Sequence, residues 1–120
     1  SIIMKISDSE MKIMEIIWKC GGEMTSSEIL RQLTGKWAPT TILTFLKRLT
    51  DKGFLTVRKS GKTGYYSAAV NESEYKCSQT EEFIKEIHNG SVKSLLASLC
   101  GGNVIDKDKA DKLKKWFEEQ

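Results

Sequence analysis

The chain has 120 residues, of which 39% are hydrophobic and 29% charged, and its formal net charge is +3. This length suffices for one compact domain with a short extension, and the composition is that of an ordinary globular protein. No apolar stretch approaches the roughly 20 residues of a membrane helix, and the N-terminus lacks the successive basic and apolar regions of a secretory signal. The sequence therefore predicts a cytoplasmic protein that is not inserted in a membrane.

Positive charge is concentrated in the first part of the chain. Residues 1–70 have a charge balance of +5, whereas residues 71–120 have a balance of −2. Between residues 36 and 62 there are seven basic side chains and a single acidic one, Asp51. This distribution favours a polyanion such as nucleic acid as the partner, although solvated lysines alone would give the same count.

The residue types that metal binding or catalysis would need are scarce. Cys20, Cys77 and Cys100 lie far apart, so we expect small buried or half-buried thiols rather than a disulfide framework or a zinc ribbon. There is one histidine, His88, and no cluster of carboxylates. The glycines of residues 61–64 belong to a predicted hairpin and not to a phosphate-binding loop. We therefore expect no metal, no cofactor and no enzymatic activity.

Two helices are predicted before residue 36. Ser7 can cap the first helix, which ends at Gly21-Gly22. The segment Thr25-Ser26-Ser27-Glu28 has the pattern of a capping box, in which each end residue satisfies a backbone N–H of the other. It predicts a short second helix that stops near Gly35.

A third helix is predicted from Pro39 to Lys52, because proline suits the first helical position and Gly53 can close the helix. Its apolar stripe consists of Ile42, Phe45, Leu46 and Leu49. The side chains left to face outward include no acid between residues 40 and 48, and those expected to contact DNA are Thr40, Thr41, Thr44, Lys47 and Arg48. Threonine can contact base edges, phosphates or a thymine methyl, and lysine and arginine can contact guanine or phosphate. The pattern favours a DNA-recognition helix.

A β-hairpin is predicted to follow, with strands at residues 54–58 and 65–70 and a turn at residues 59–64. Three helices and a hairpin form a winged helix-turn-helix. The wing residues expected to contact phosphate are Arg58, Lys59 and Lys62, although a polar tip without DNA contacts would have the same composition. Of the neighbouring Tyr65 and Tyr66, one should pack on the core, because adjacent strand residues point to opposite faces.

Residues 72–120 predict three further helices, separated at Asn89-Gly90 and Gly101-Gly102. Each has one apolar face, and the three cannot bury those faces by themselves. They either fold onto the winged helix or pair with a second copy, and we favour a homodimer because helical DNA readers commonly match palindromic operators. The predicted dimer contacts are Phe83, Ile84, Ile87, Val92, Leu95, Leu96, Leu99, Leu113, Trp116 and Phe117.

The predicted architecture is thus mainly α with a small β-hairpin. It consists of a winged helix-turn-helix DNA-binding domain at residues 1–71 and helices for dimerisation at residues 72–120.

Several segments resemble the penicillinase repressor family, which comprises the BlaI, MecI and CopY regulators. The segments that carry the resemblance are Glu10-Met11-x-Ile13-Met14-x-Ile16-Ile17-Trp18, Thr41-Ile42-x-Thr44-x-Leu46-x-Arg48-Leu49-x-x-Lys52-Gly53, Tyr66, and Asn89-Gly90-Ser91-x-x-Ser94-Leu95-Leu96. The resemblance covers nearly the whole chain. It implies a homodimeric repressor of dyad operators, often of β-lactamase or penicillin-binding-protein genes, with a membrane sensor protease encoded nearby.

The chain departs from the family pattern at two places. In antibiotic-responsive members, induction involves cutting an Asn-Phe bond in a dimer helix, and the corresponding position of a proteolytic switch here is Ser98-Leu99. This difference argues against induction by cleavage at that bond. Copper-responsive members have paired Cys-x-Cys motifs near the C-terminus, and this sequence has none, which argues against copper sensing.

The leading hypothesis is therefore a sequence-specific, DNA-binding transcriptional repressor. The alternative is a winged-helix module for protein interaction that does not recognise a DNA sequence. The two differ in what they predict for DNA: the repressor prefers one operator, whereas the interaction module binds DNA weakly and with little dependence on salt.

Overall fold

The computed structural model describes residues 4–120, in which six helices accompany one antiparallel hairpin. The helices are α1 (Asp8–Cys20), α2 (Ser26–Gln32), α3 (Pro39–Asp51), α4 (Glu72–Ile87), α5 (Val92–Gly101) and α6 (Lys107–Glu118). Strands β1 (Leu55–Ser60) and β2 (Thr63–Ala68) lie between α3 and α4. The predicted fold class is confirmed. The described chain divides into two compact units, residues 4–78 and 79–120.

The capping predicted for the first two helices is present. At α1, the Ser7 hydroxyl accepts from the Glu10 N–H at 3.3 Å, and the Glu10 carboxylate accepts from the Ser7 N–H at 2.9 Å. Thr25 and Glu28 make the same reciprocal pair at α2. These caps satisfy backbone donors that the first turn of a helix leaves without a partner. α2 ends at Gln32, earlier than expected, because Leu33 is extended.

The hairpin is longer than predicted at its tip. The turn expected over residues 59–64 is wrong in extent, since Lys59 pairs with Gly64 and Ser60 pairs with Thr63. A two-residue turn is possible because Gly61 adopts a φ of 61°, which glycine tolerates without steric cost. At Gly64, an added Cβ would lie 3.2 Å from both the Tyr66 ring and a methyl of Val57, so a larger residue there would require these side chains to shift.

A short bridge joins the hairpin to the segment between α1 and α2. The N–H of Met24 donates to the carbonyl of Tyr66 at 2.9 Å, and the N–H of Tyr66 donates to the carbonyl of Met24 at 2.8 Å. As predicted, Tyr66 is buried while its neighbour Tyr65 is only partly covered. The base of the wing is therefore held to the helical core by both backbone and side chain.

The core of residues 4–78 is formed by the apolar faces of α1, α2, α3 and the hairpin. Its most completely buried members are Ile13, Met14, Ile17, Ile29, Ile42, Leu46, Leu49 and Phe54. The first turns of α4 also belong to this unit, because Tyr75 is buried beside Trp18 and Phe54 and its hydroxyl accepts from the Ile6 N–H at 2.8 Å. Packing thus extends to residue 78, while the division of function after residue 71 stays a prediction.

One buried ion pair joins the start of α1 to the end of α3. Glu10 is only 1% exposed, and its carboxylate accepts from the Lys52 ammonium at 2.7 Å. Burial alone would raise the pKa of Glu10, but hydrogen bonds from Lys52 and Ser7 together outweigh it and lower the pKa below its ordinary value. Lys52, which the sequence places in the basic segment, is therefore a structural residue.

Residues 79–120 pack differently. The buried residue in this unit is His88, whose Nδ1 lies 2.8 Å from the Ser94 hydroxyl and whose ring meets Phe83 edge-on at 5.4 Å. The α4–α5 turn uses left-handed residues at Asn89 and Gly90, and Ser91 caps α5 as its sequence predicts. No apolar side chain of this unit is buried in the single chain.

The predicted burial of the three cysteines is wrong. Cys20, Cys77 and Cys100 are all exposed free thiols. Cys20 and Cys100 lie at the C-terminal ends of α1 and α5, and Cys77 lies on α4 outside the face that buries Tyr75.

The Glu10–Lys52 pair predicts how stability depends on pH. Because folding lowers the pKa of Glu10, its contribution is complete above the ordinary glutamate pKa and is lost as the pH falls through the lower pKa of the folded state. We expect Glu10→Gln, which keeps the capping oxygen, to reduce the free energy of unfolding by about 1–3 kcal/mol near neutral pH. The variant should also show a flatter decline in acid.

Urea unfolding of the wild type and the variant at several pH values below neutrality measures both effects. Glu15→Gln is the matched control, because it removes the same charge from an exposed position of α1. Equal acid dependence in wild type and Glu10→Gln would contradict the role of this pair.

Candidate nucleic-acid interface

α3 presents one face to the core and the opposite face to solvent. Ile42, Leu46 and Leu49 are fully buried, and Phe45 is partly buried. Since a helix turns about 100° per residue, these anchors leave the rest of its circumference outside. All of the predicted contact residues on α3 are exposed, namely Thr40, Thr41, Thr44, Lys47 and Arg48. The helix begins at Pro39 after an uncapped Ala38.

Short-range contacts orient several of these side chains. The Thr44 hydroxyl donates to the Thr40 carbonyl at 3.0 Å, and the Arg48 guanidinium lies 5.6 Å from the centre of the Phe45 ring. Lys47 forms a 3.0 Å ion pair with Asp51 one turn later, with both side chains well exposed. Asp51, the single acid between residues 36 and 62, therefore pairs with one of the predicted contact residues.

The structure adds one residue to this face that sequence reasoning missed. Leu43 is 48% exposed, although the other large apolar side chains of α3 are buried or partly buried. Its spacing could have indicated this exposure, because position 43 lies outside the stripe formed by Ile42, Leu46 and Leu49.

In the wing, Arg58 has an intramolecular partner. Its Nε donates to the Glu23 carboxylate at 3.0 Å, and its guanidinium lies 4.5 Å from the centre of the Tyr65 ring. The hydrogen bond and the charge of Glu23 both raise the pKa of Arg58. Glu23 thus offsets part of the positive charge of Arg58, while the Nη donors of the guanidinium remain for a phosphate, and the predicted phosphate contact stays a prediction.

Lys59 and Lys62, the other wing residues, are exposed near the hairpin tip. Neither forms an ion pair with any residue between 4 and 120. Their charges are therefore available to an external anion, which agrees with the kind of contact expected from the sequence.

The residues predicted to form the dimer interface lie in residues 79–120. Six of the expected dimer residues are largely exposed in the single chain: Phe83, Ile87, Val92, Leu96, Leu113 and Trp116. Phe117 is the most exposed at 66%, and its ring meets that of Trp116 edge-on. Ile84, Leu95 and Leu99 are partly covered.

Between residues 4 and 120, no three His, Cys, Asp or Glu side chains are grouped so that they could hold a metal ion. None of the helices in this range has both the length and the apolar character needed to cross a membrane.

Comparisons with known proteins agree in pointing to one family. The family model described as Penicillinase repressor matches residues 6–119. The chain is 30% identical over 119 residues to the penicillinase repressor of Bacillus licheniformis, covering 98% of this chain and 92% of the relative. It is also 30% identical over 111 residues to the methicillin resistance regulatory protein MecI of Staphylococcus aureus (strain N315), covering 92% of this chain and 90% of the relative.

Two solved structures are similar to the winged-helix part. One is the solution structure of the DNA binding domain of the repressor BlaI, with a TM-score of 0.54 and 39% identity over 61% of this chain and 90% of that chain. The other is the Bacillus licheniformis BlaI monomeric form in complex with the blaP half-operator, with a TM-score of 0.51 and the same identity and coverage. The chain belongs to the penicillinase repressor family, whose members are transcriptional repressors and not enzymes.

Proposed function

We propose that the chain is a repressor that binds operator DNA through α3 and the wing and acts as a homodimer on palindromic operators. The observation that carries this proposal is the exposed, acid-free surface of α3 over residues 40–48, which is held in place by a fully buried apolar stripe. A rigid helix with hydroxyl and cationic side chains on its free face suits the major groove. The similar BlaI monomeric form, solved in complex with a half-operator, supports DNA binding by this part of the chain.

The two basic elements are proposed to have different roles. Thr40, Thr41, Thr44, Lys47 and Arg48 lie on the helix that would enter the groove, so they would contact base edges or flanking phosphates. Lys59 and Lys62 lie at the tip of a hairpin and would contact the phosphate backbone, which gives affinity without sequence preference. Arg58 would join them through its Nη donors, with its charge partly offset by Glu23.

Dimerisation is proposed to use residues 79–120. This unit leaves its largest apolar side chains at the surface, and a set of helices without buried apolar residues has little to stabilise it alone. A second copy offers the same apolar faces in return, as a two-fold interface requires. We accordingly place the dimer contacts at the ten residues predicted from the sequence, from Phe83 to Phe117.

The proposed physiological setting follows the relatives. Their names associate them with penicillinase and methicillin resistance, so we propose operators of β-lactam-resistance or related genes, in the cytoplasm, with a membrane sensor protease as a regulatory partner. Ser98-Leu99, the position corresponding to the proteolytic switch, lies inside α5, where the Ser98 hydroxyl donates to the Ser94 carbonyl at 3.1 Å. Cleavage there would require α5 to open locally, because a folded helix resists proteolysis.

The roles of helix and wing can be separated with Lys47→Ala and Lys62→Ala. The DNA is a duplex selected by the full chain from a random pool, compared with a scrambled duplex of equal length. Lys47→Ala should lower the preference for the selected duplex, with a cost of about 1–3 kcal/mol in its binding free energy. Lys62→Ala should weaken both duplexes equally and reduce the slope of log affinity against log salt by about 0.9.

Fluorescence anisotropy over a series of salt concentrations measures these quantities. Wild-type protein that binds scrambled DNA as tightly as the selected duplex would contradict sequence-specific repression. It would leave the interaction-module alternative, which predicts weak binding with little dependence on salt.

Removal of the carboxylate that pairs with Lys47 is expected to strengthen DNA binding, whereas Lys47→Ala is expected to weaken it. Asp51→Asn should strengthen binding to the selected duplex by up to about fivefold, because it frees a cation and removes a negative charge beside the DNA. Asp111→Asn makes the same change on α6 and should leave affinity unaltered. Unchanged or weaker binding by Asp51→Asn would contradict an approach of DNA to Lys47 and Asp51.

The dimer proposal is tested with Phe117→Glu. A charge in a desolvated apolar contact should shift the protein from dimer to monomer at micromolar concentration, as measured by light scattering coupled to gel filtration. Lys115→Glu is the control, because helical spacing places it on the opposite side of α6 from Leu113 and Phe117. A dimer that survives Phe117→Glu and Leu96→Glu together would place the interface elsewhere.

A further inference from the structure

Leu43 is the one large apolar side chain of α3 that is well exposed. It is 48% exposed, whereas Ile42, Leu46 and Leu49 are completely buried. The buried stripe already holds the helix, so this leucine has no role in the core of its own domain. Exposed apolar surface on a face otherwise made of threonine, lysine and arginine is the feature to be explained.

The surroundings of Leu43 identify the chemistry of its partner. Thr40 precedes it by three residues and Lys47 follows it by four, so both are its neighbours on the helix surface. There is no acid on α3 before Asp51, and the surrounding residues 36–62 are strongly basic. A partner for this patch must therefore combine strong negative charge with a small apolar group at close range.

The major groove of DNA has that combination. Its phosphates supply the charge, and the only apolar group on the major-groove edges of the base pairs is the C5-methyl of thymine. A leucine on the N-terminal half of a recognition helix lies where base edges are contacted. An apolar protein surface would instead meet the charge of Lys47, which lies one turn along the helix from the leucine.

We propose that Leu43 contacts the C5-methyl group of a thymine in the operator half-site and makes the chain prefer thymine at that position. This inference rests on the proposed DNA-binding function and adds a specificity determinant to it. The threonines and cations of α3 would supply hydrogen bonds and charge, while Leu43 would supply discrimination by shape and apolar contact.

Deoxyuridine tests the contact directly, because it differs from thymidine only in lacking the methyl group. With the duplex selected by the full wild-type chain, each thymine of one half-site is replaced in turn and the dissociation constant is measured by anisotropy. We expect one replacement to weaken wild-type binding about three- to fivefold, as loss of one buried methyl contact would. Leu43→Ala should bind the thymine and uracil duplexes at that position equally.

Met4→Ala is the control, since it removes an exposed apolar side chain that lies outside α3, and it should keep the wild-type ratio. Two results would overturn the inference: no single replacement weakens wild-type binding, or Leu43→Ala retains the same ratio as wild type. Either result leaves DNA binding intact. Failure of the wild type to select any sequence is a different outcome, which removes the proposed function and the inference together.

Discussion

The position of α3 depends on a carboxylate that is buried at the start of another helix. Glu10 accepts from the Ser7 N–H, which caps α1, and from Lys52, which is the C-cap of α3. Its second oxygen has no hydrogen-bond partner within residues 4–120, so burial of this charge is costly and the Lys52 contact is needed to offset it. Loss of either partner would leave the other charge poorly satisfied. The pair therefore specifies how the end of α3 meets the start of α1 as well as contributing to stability.

This arrangement separates structural from functional cations within one basic segment. Lys52 is used inside the fold, Arg58 is paired with Glu23, and Lys47 is paired with Asp51 at the surface. The more exposed the ion pair, the more readily its cation could exchange the carboxylate for a phosphate, because breaking an exposed pair costs little and breaking a buried pair costs much. Lys47 can exchange at little cost, whereas Lys52 cannot. The formal charge of the segment consequently overstates the charge that a DNA molecule would meet.

Local signals in the sequence predicted much of the fold, and contacts between distant residues account for what they missed. The caps at Ser7 and Thr25 involve residues three apart, so a pattern reveals them. The Glu10–Lys52 and Arg58–Glu23 pairs join residues 42 and 35 apart, and no periodicity predicts such partners. The extent of the hairpin was mispredicted for the same reason. Pairing beyond residue 58 depends on contacts between the two strands, which a local pattern does not show. For α3, the apolar stripe correctly predicted which threonine, lysine and arginine side chains face outward. The exposure of Leu43 was not predicted, because its residue type alone does not show that the side chain faces solvent.

The surfaces of the two units differ in polarity, and this difference bears on regulation. Residues 4–78 enclose a complete apolar core and can therefore present a polar, basic face, whereas residues 79–120 leave apolar side chains uncovered. In the proposed dimer, pairing of the second unit would place two copies of α3 on one DNA molecule, so the second contact would form at a high effective concentration. Separation of the pair would then lower operator occupancy without any change in α3. In this proposal, an inducing signal that acts on residues 79–120 alone would suffice, and Ser98-Leu99, the proposed switch position, lies in that unit.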